Sequence, residues 1–428
     1  MTAVSLTDLY GNPVSSGSRA AVDAYDRGVR GLLGFSADII DSFRSALAAD
    51  PDFVLARAAL ATSLYLAEKI PEGRAEMDRA AAAAASLPLL ERRHVEALAL
   101  WVDGRAPDAV RLIKESLVEH PRDMVLMQRL YYIYFWQGRF PDMLALTESL
   151  LPHYPGDSFV LGTHAFALEE ADRCGEAIAA ADKALRLNPR DAWAVHALAH
   201  ALYESADFDT GVTRLPIAIH PCRGLNWFRN HLVWHLALIH FARGEYDRAA
   251  AISRRAFERT PSSIAGDLHD SISLLWRMEL AGRPMRERWA PFVAIGRERM
   301  SRMGLAFHVA HVTMALSSGG DWPSAEKHLA MARERAVKDR TGLTGDVLVP
   351  LLEGLQAFAA GDYARTVARI EPLRPRIVEL GGSRAQRDVF HDTLFEAAFR
   401  AGDAERAARF LAERLQRRPD HFWRTRAA

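Results

Sequence analysis

The chain has 428 residues, of which 49% are hydrophobic and 25% charged, and its 54 basic residues balance 54 acidic ones. This composition is typical of a soluble protein, and zero net charge leaves no electrostatic footprint for nucleic acid or for an anionic membrane surface. Only two cysteines are present and the first thirty residues do not resemble a secretory signal, so we expect free thiols, a cytoplasmic location and no membrane span.

The N-terminal part is predicted to contain a capped helix and two weak hairpins. Ser16 to Ser18 form a loop whose last serine is expected to cap a helix that begins at Arg19. Gly34 and Gly73 are the predicted turns of the first two hairpins. No strand-like alternation of hydrophobic residues follows, which favours helices throughout.

A helix, a tight turn, a second helix and a proline recur every 34 residues between about 90 and 190. This is the period of the tetratricopeptide repeat. Each proline is preceded, seventeen residues earlier, by a residue suited to a turn. The prolines are Pro121, Pro155 and Pro189, and the turn residues are Gly104, Gly138 and Asp172.

The later repeats are predicted to be longer. The best single copy runs from Gly244 to Pro261, where the glycine permits the turn between two alanine-containing helices. Turn spacing lengthens to 38 and then 41 residues, which predicts irregular repeats over about 245–420. The basic stretch 414–428 is expected to fray. Further turns are predicted near Asp207 and at Gly282, Gly320, Gly361 and Gly402.

About eleven hairpins therefore account for nearly the whole chain. We predict an all-α fold, a right-handed superhelical solenoid of tetratricopeptide-like helical hairpins that forms a single domain over residues 1–428. In such an array the first helix of each pair lines a concave groove.

Histidines line one side of two predicted first helices. His196, His200 and Glu204 are spaced four residues apart, as are His231 and His235, so each set lies on one side of its helix. Neutral imidazoles and carboxylates are ligands for divalent transition metals such as zinc, iron, manganese or nickel. These five residues are the predicted metal set. The alternatives are a buried, hydrogen-bonded polar seam and a site for a small anionic or peptide ligand.

Two tryptophans and further histidines extend the predicted pocket. Trp193 and Trp234 occupy groove positions beside the histidines, which resembles a closed pocket more than a peptide groove. His311, with His308, could add a metal ligand. His164 falls at a core position, where a buried, hydrogen-bonded histidine is expected.

The most conspicuous loop is LGGSRAQRDVF, from Leu380 to Phe390. Its two glycines break one helix, and Gln386, Arg387 and Asp388 open the next. The free backbone N–H groups of that helix start could hold an anion or an ordered carboxylate. Arg387 and Asp388 either pair with each other or present the guanidinium to a carboxylate or phosphate in the groove.

Three motifs carry a family resemblance. DAWAVHALAHALYE, VWHLALIHFARGEYDRA and GGSRAQRDVF, in this order and at these separations, resemble the tetratricopeptide repeat protein 38 family. The resemblance runs from Asp8 through Phe399 and implies a tetratricopeptide superhelix, but it brings no established activity or binding residues. The matching positions include His164, His196, His200, Glu204, His231, His235, His311, Gln386, Arg387 and Asp388.

The chain contains no nucleophile elbow, P-loop, dinucleotide fingerprint or C-x-x-C motif. We therefore expect a tetratricopeptide-repeat binding or scaffold protein that uses a histidine-lined concave groove for a peptide or small-molecule ligand. The alternative is a metal-dependent enzyme with its active site in the same His/Glu-lined pocket and a divalent transition metal as cofactor.

Overall fold

The computed structural model describes residues 6–258 and 261–427. Within these ranges the chain is helical, and extended backbone pairs only at two isolated bridges, Thr7 with Pro13 and Ser36 with Leu225. No helix in the described ranges combines the length and the apolar character needed to cross a membrane. The predicted all-α class of tetratricopeptide-like hairpins is confirmed.

The described residues fall into two compact units. Of these residues, the first unit comprises 6–134, Asp142–Leu161 and Gly224–Asn226, and the second Phe135–Pro141, Gly162–Arg223, 227–258 and 261–427. The α-helices of the described residues are, in chain order, α1 (Arg19–Gly34), α2 (Ile39–Ala49), α3 (Val54–Leu66), α4 (Ile70–Ala83), α5 (Leu89–Val102), α6 (Ala106–Glu119), α7 (Met124–Trp136), α8 (Phe140–Leu150), α9 (Ser158–Glu170), α10 (Cys174–Leu187), α11 (Ala192–Glu204), α12 (Phe208–Ile219), α13 (Phe228–Ala242), α14 (Tyr246–Ser253), α15 (Ala265–Leu280), α16 (Ala290–Arg299), α17 (Ala306–Ser318), α18 (Trp322–Lys338), α19 (Val349–Ala359), α20 (Tyr363–Ile370), α21 (Arg384–Arg400), α22 (Ala404–Arg417) and α23 (His421–Ala427). Further 3-10 or π-helical segments lie at Ala84–Ser86, Leu151–His153, Arg254–Glu258, Arg286–Arg288, Thr344–Leu348 and Glu371–Leu380. The single domain over residues 1–428 remains a prediction.

Each turn within a helix pair, from α1–α2 to α21–α22, carries one residue with a left-handed backbone. A positive φ reverses the chain in a few residues, and glycine adopts it at least cost. The turns predicted at Gly104, Gly138, Asp172, Gly244 and the later glycines are confirmed. In the described residues, the left-handed residues of the turns within the pairs α1–α2 to α21–α22 are Phe35, Glu68, Gly104, Gly138, Asp172, Ala206, Gly244, Gly282, Gly320, Gly361 and Gly402.

Two predicted turn glycines are wrong. The positive φ of the first hairpin belongs to Phe35, at 57°, rather than to Gly34. In the second hairpin Glu68 has the positive φ, at 62°, while Gly73 lies inside α4. A Cβ atom on Gly73 would come within 2.9 Å of the Ala61 carbonyl oxygen, so this glycine allows α4 to approach α3 closely.

The C-terminal stretch does not fray, contrary to the prediction, over its described residues. Phe422 and Trp423 of α23 are buried, and so are Arg414 and Arg418. The basic side chains are ordered because buried carboxylates accept their hydrogen bonds. Ala428 lies outside the described residues.

The helices that carry the predicted site lie in the second unit. Asp191 caps α11, accepting from the Ala194 N–H at 2.9 Å. Every residue of α11 is buried, which fits its apolar, alanine-rich sequence. A histidine on this helix therefore faces protein on any side, not solvent.

Candidate metal centre

Four histidines from two helices converge inside the second unit. His196 and His200 lie on α11, and His231 and His235 lie on α13. One ligand nitrogen from each lies within 4.8 Å of the other three. These four residues are called the histidine cluster below. The structure thus brings together four of the five predicted metal ligands.

The closest contacts of the histidine cluster are between ring nitrogens. His231 Nε2 lies 3.0 Å from His196 Nε2 and 3.2 Å from His235 Nε2. The ring centroid of His200 lies 4.3 Å from that of His235 and 4.5 Å from that of His196. An imidazole Nε2 has either one proton or one lone pair, so it cannot form two well-aligned hydrogen bonds at once.

Aromatic walls bury the cluster. His200 and His235 are 0% exposed, and His231, the most exposed of the four, is only 5% exposed. The predicted pocket residues Trp193 and Trp234 are part of the wall, with ring centroids 4.7 Å from His196 and 5.4 Å from His231 respectively. The other wall residues are Phe166 and Phe228.

Burial keeps three of the four histidines of the cluster uncharged. It lowers the pKa of His200 to about 3 and holds the pKa values of His196 and His235 well below the usual histidine range. Neutral imidazole is the form that binds metal ions, because only it offers a nitrogen lone pair. His196, His200 and His235 therefore present the metal-binding form at neutral pH.

Two buried carboxylates stand behind the cluster. His231 Nδ1 donates to Asp270 Oδ2 at 2.7 Å, which leaves the His231 lone pair on Nε2. His200 Nδ1 lies 3.4 Å from Glu169 Oε2. Burial opposes ionisation of Asp270, but its two histidine neighbours outweigh burial and hold the pKa of Asp270 below its usual range. Burial, aided by Glu204, raises the pKa of Glu169 to about 8.

Many polar atoms at this site have no hydrogen-bond partner in the structure, although each is buried. Buried polar groups are nearly always paired, so a group of unpaired ones marks a place where something else binds. The atoms are His196 Nδ1, both ring nitrogens of His200, His235 Nδ1, both carboxylate oxygens of Glu169 and Asp270 Oδ1.

A chain of close polar contacts leads from the cluster to a second group of histidines. Asp270 Oδ1 lies 3.2 Å from His269 Nε2, and His269 Nδ1 lies 3.1 Å from His308 Nδ1. Gln386 Nε2 lies 3.1 Å from His269 Nε2. His311 is also buried in this group, but its Nδ1 donates to the Phe307 carbonyl at 2.8 Å. His311 is thus not among the converging nitrogens of the histidine cluster.

Glu204 is the predicted metal ligand that the structure places elsewhere. It accepts from Arg418 Nη1 at 2.7 Å and from Arg417 at 3.3 Å. Asp388 accepts from both arginines, at 2.6 and 2.7 Å. Burial opposes ionisation of Asp388, but Arg417 and Arg418 outweigh it and hold its pKa well below the usual range. Glu204 therefore belongs to a buried ion-pair network one turn beyond His200.

The start of α21 holds a carboxylate, one of the two predicted occupants. Ser383 and Gln386 form a capping box, and the backbone N–H of Arg384 donates to Glu170 Oε1 at 2.7 Å. Arg387 donates to Glu170 Oε2 at 3.3 Å. Arg387 and Asp388 thus pair with different partners rather than with each other.

Several functional candidates were not predicted. No recurring spacing in the sequence relates Glu169, Asp270 or Arg418 to the histidines. Only Glu169 has a local signal, which is its position at the end of a predicted first helix. His164, predicted to be buried, is half-buried on α9. Both cysteines are free thiols, and burial raises the pKa of Cys222 to about 11.

No family model matches this chain. Among solved structures, the chain is similar to a tetratricopeptide repeat protein from Parabacteroides merdae, at 14% identity over 70% of this chain and 99% of that one, with a TM-score of 0.39. A Rap protein complexed with competence and sporulation factor is 12% identical over 85% and 97% of the two chains, with a TM-score of 0.43. Yeast Tom70 is 12% identical over 92% and 90%, also at 0.43. Similarity at this level says nothing about the ligand or activity of this chain.

Proposed function

We propose that this chain is a helical-repeat scaffold with a buried site for a divalent transition metal, most suitably zinc, at the histidine cluster. The observation that carries the proposal is the convergence of ring nitrogens from His196, His231 and His235, with His200 as the fourth ligand. Membership of the tetratricopeptide repeat protein 38 family and a cytoplasmic location are part of the same proposal.

The nitrogen spacing fits a metal ion. Zinc binds histidine nitrogens at about 2.0–2.1 Å in tetrahedral geometry, which places neighbouring nitrogens about 3.3–3.4 Å apart. The Nε2 contacts of His231, at 3.0 and 3.2 Å, are close to that edge length. Small movements of the side chains would complete the tetrahedron with a nitrogen of His200.

The surrounding charges fit the same ion. Asp270 accepts a hydrogen bond from His231 Nδ1, and Glu169 Oε2 lies 3.4 Å from His200 Nδ1. Carboxylates in this position orient metal-bound histidines. The charge of Asp270 also offsets part of the charge of a divalent cation, which lowers the cost of burying it.

A purely hydrogen-bonded seam explains the site less well. In a seam the histidines would satisfy one another, yet His200 has no hydrogen bond on either ring nitrogen and Glu169 has none on either oxygen. Leaving a buried polar group unpaired costs about 1–3 kcal/mol. A bound ion would take up one nitrogen of His200, whereas the seam leaves both nitrogens of that ring without a partner.

The metal-dependent enzyme is the second candidate. Glu169 favours it, since a buried carboxyl group whose pKa is raised to about 8 is the kind of side chain that can hold or release a proton near neutral pH. Four protein ligands and full burial favour a closed, structural site instead. Because the cluster is buried, a peptide or small-molecule ligand in the predicted groove would have to contact more exposed residues around it.

Elemental analysis tests the metal site. The full-length protein, purified from metal-replete cells without chelators, is expected to hold about one equivalent of transition metal per chain. His196→Ala combined with His200→Ala should abolish this while leaving the far-ultraviolet circular dichroism nearly unchanged, because stability in a repeat array is spread over many interfaces.

A matched control removes two other histidines of the second unit. His240 pairs with Glu245 at 2.6 Å and His328 with Thr313 at 3.0 Å, so neither contacts the cluster. His240→Ala combined with His328→Ala should keep the metal. Wild-type protein with far less than one equivalent, which also fails to take up zinc after chelator treatment, would overturn the proposal.

A further inference from the structure

The first unit contains a buried arginine that lacks a counter-charge. Arg129, on α7, is 3% exposed. Its Nε has no hydrogen-bond partner, and no carboxylate of the described residues lies close enough to affect its charge. The other buried arginines of the described residues each donate at least one hydrogen bond to the protein. They are Arg277, Arg288, Arg299, Arg387, Arg414 and Arg418.

An unpaired guanidinium is costly in such a place. Burial lowers the pKa of Arg129 to about 10, so the group stays protonated at neutral pH although most of its hydration is lost. A buried charge destabilises the folded protein unless an opposite charge compensates it. An anion bound to the folded protein would supply that opposite charge.

Aromatic rings lie beside the guanidinium. Its central carbon lies 3.9 Å from the ring centroid of Trp101, on α5. The cation–π attraction offsets part of the cost of burial, but it gives the N–H groups no acceptor. Tyr65, on α3, packs edge-on against Trp101 with ring centroids 5.0 Å apart, and both residues stay partly exposed. A ligand at Arg129 would therefore meet aromatic surface next to the charge.

The end of the guanidinium is the part that a ligand can reach. Nε is fully enclosed, whereas Nη1 and Nη2 are not. The N–H groups of these two nitrogens donate side by side in the plane of the group, which matches two oxygens of a carboxylate or a phosphate. The uncompensated positive charge favours such an anion over a neutral or cationic ligand.

We propose that Arg129 binds the carboxylate or phosphate group of a small aromatic acid, whose ring would lie on the exposed parts of Trp101 and Tyr65. The anion would accept hydrogen bonds from Nη1 and Nη2 and supply the opposite charge that Arg129 lacks. The three residues belong to α3, α5 and α7, the first helices of successive pairs in the first unit. None of them belongs to the histidine cluster, so this site is independent of the metal.

Ligand-detected saturation-transfer NMR on the full-length protein, at constant ionic strength, tests the proposal. Benzoate and phenyl phosphate are the probes, and benzamide is the control because it has the same ring without the charge. At least one of the two acids should bind at least about tenfold more tightly than benzamide. The tighter acid identifies the anion as carboxylate or phosphate. Equal binding of benzamide and both acids would overturn the proposal.

The variant Arg129→Met keeps a long side chain and removes the charge. It should bind the tighter acid at least about tenfold more weakly than wild type. Without ligand, its midpoint of urea unfolding should be no lower than that of wild type, because an uncompensated buried charge is removed. The tighter acid should raise the midpoint of wild type and not that of the variant.

Arg111 provides the matched control. It is exposed on α6, where it donates to Glu115 at 3.3 Å. Arg111→Met should leave binding of both acids unchanged. Wild-type affinity for the acids in folded Arg129→Met protein, or an equal loss of affinity in the two variants, would overturn the proposal.

Discussion

Asp270 decides how His231 presents its ring to the histidine cluster. The carboxylate accepts the Nδ1 proton, so the lone pair is on Nε2, among the other ring nitrogens. A negative charge behind the ring also makes that nitrogen a better metal ligand. This orientation comes from a residue on α15 and not from the four-residue spacing on α13.

Replacing Asp270 should therefore weaken metal binding without removing a ligand. Asp270→Asn keeps a side chain of similar size but loses the charge, and we expect zinc affinity to fall about 10- to 100-fold. Competition with a chromophoric chelator measures this affinity directly.

Asp267 provides the control, since it lies one turn earlier on the same helix. It pairs with Asn230 at 3.1 Å rather than with a histidine of the cluster. Asp267→Asn should leave zinc affinity within about twofold of wild type. An equal loss in the two variants would show that any change of charge on α15 weakens the site.

The clustering of the histidines could be predicted from the sequence, whereas the residues that support them could not. A spacing of four places His196 and His200 together because it depends only on the helix. Glu204 has the same spacing, yet it pairs with Arg418, 214 residues away, since that pairing depends on tertiary structure. Asp270 likewise reaches His231 from another helix.

Among the turns between helices, too, some features could be predicted from the sequence and others could not. Glycine at the end of a periodic stretch predicted the turns at Gly104, Gly138 and Gly244, because glycine adopts a positive φ most readily. It failed at Gly73, where the missing side chain serves helix packing instead. Sequence cannot separate these two uses of glycine without knowing which helix lies opposite.

Gly244 both adopts a positive φ and leaves room for a neighbouring side chain. Its φ is +80°, and a Cβ atom would lie 2.3 Å from the His421 ring. Gly244→Val should therefore destabilise the protein by more than the roughly 1–2 kcal/mol expected for a non-glycine residue in this conformation. Urea unfolding followed by circular dichroism measures the change.

Gly282 isolates the backbone contribution. It has a φ of +71° and no atom within 4 Å of the Cβ position. Gly282→Val should therefore cost less than Gly244→Val, by about 1 kcal/mol or more. Equal losses would mean that the His421 side chain moves aside without cost.

At the scale of the whole molecule, each repeat of a helical array is stabilised mainly by its contacts with the adjacent repeats. A metal ion bound only by the folded state adds about 2.7 kcal/mol at a free concentration 100 times its dissociation constant. In this chain the gain should be concentrated on the helices that supply the ligands, α11 and α13.

Hydrogen exchange measured by mass spectrometry tests this distribution. Adding zinc to chelator-treated protein should slow amide exchange in α11 and α13 and leave α3 to α6 unchanged. The His196→Ala and His200→Ala double variant should show no such slowing. Equal protection along the whole chain would contradict a local site and indicate nonspecific binding.

The pairing of Glu204 with Arg418 also constrains how the protein is made. A ribosome adds about 5–20 residues per second, so Arg418 is synthesised roughly 10–40 s after Glu204. Asp388 is also synthesised long after Glu204, and it precedes Arg418 by 30 residues. Until Arg417 and Arg418 are available, neither carboxylate has an arginine that donates a hydrogen bond to it. The second unit must therefore complete its folding at the end of translation, and chains cut short before Arg417 would carry two carboxylates without the guanidinium groups that donate to them.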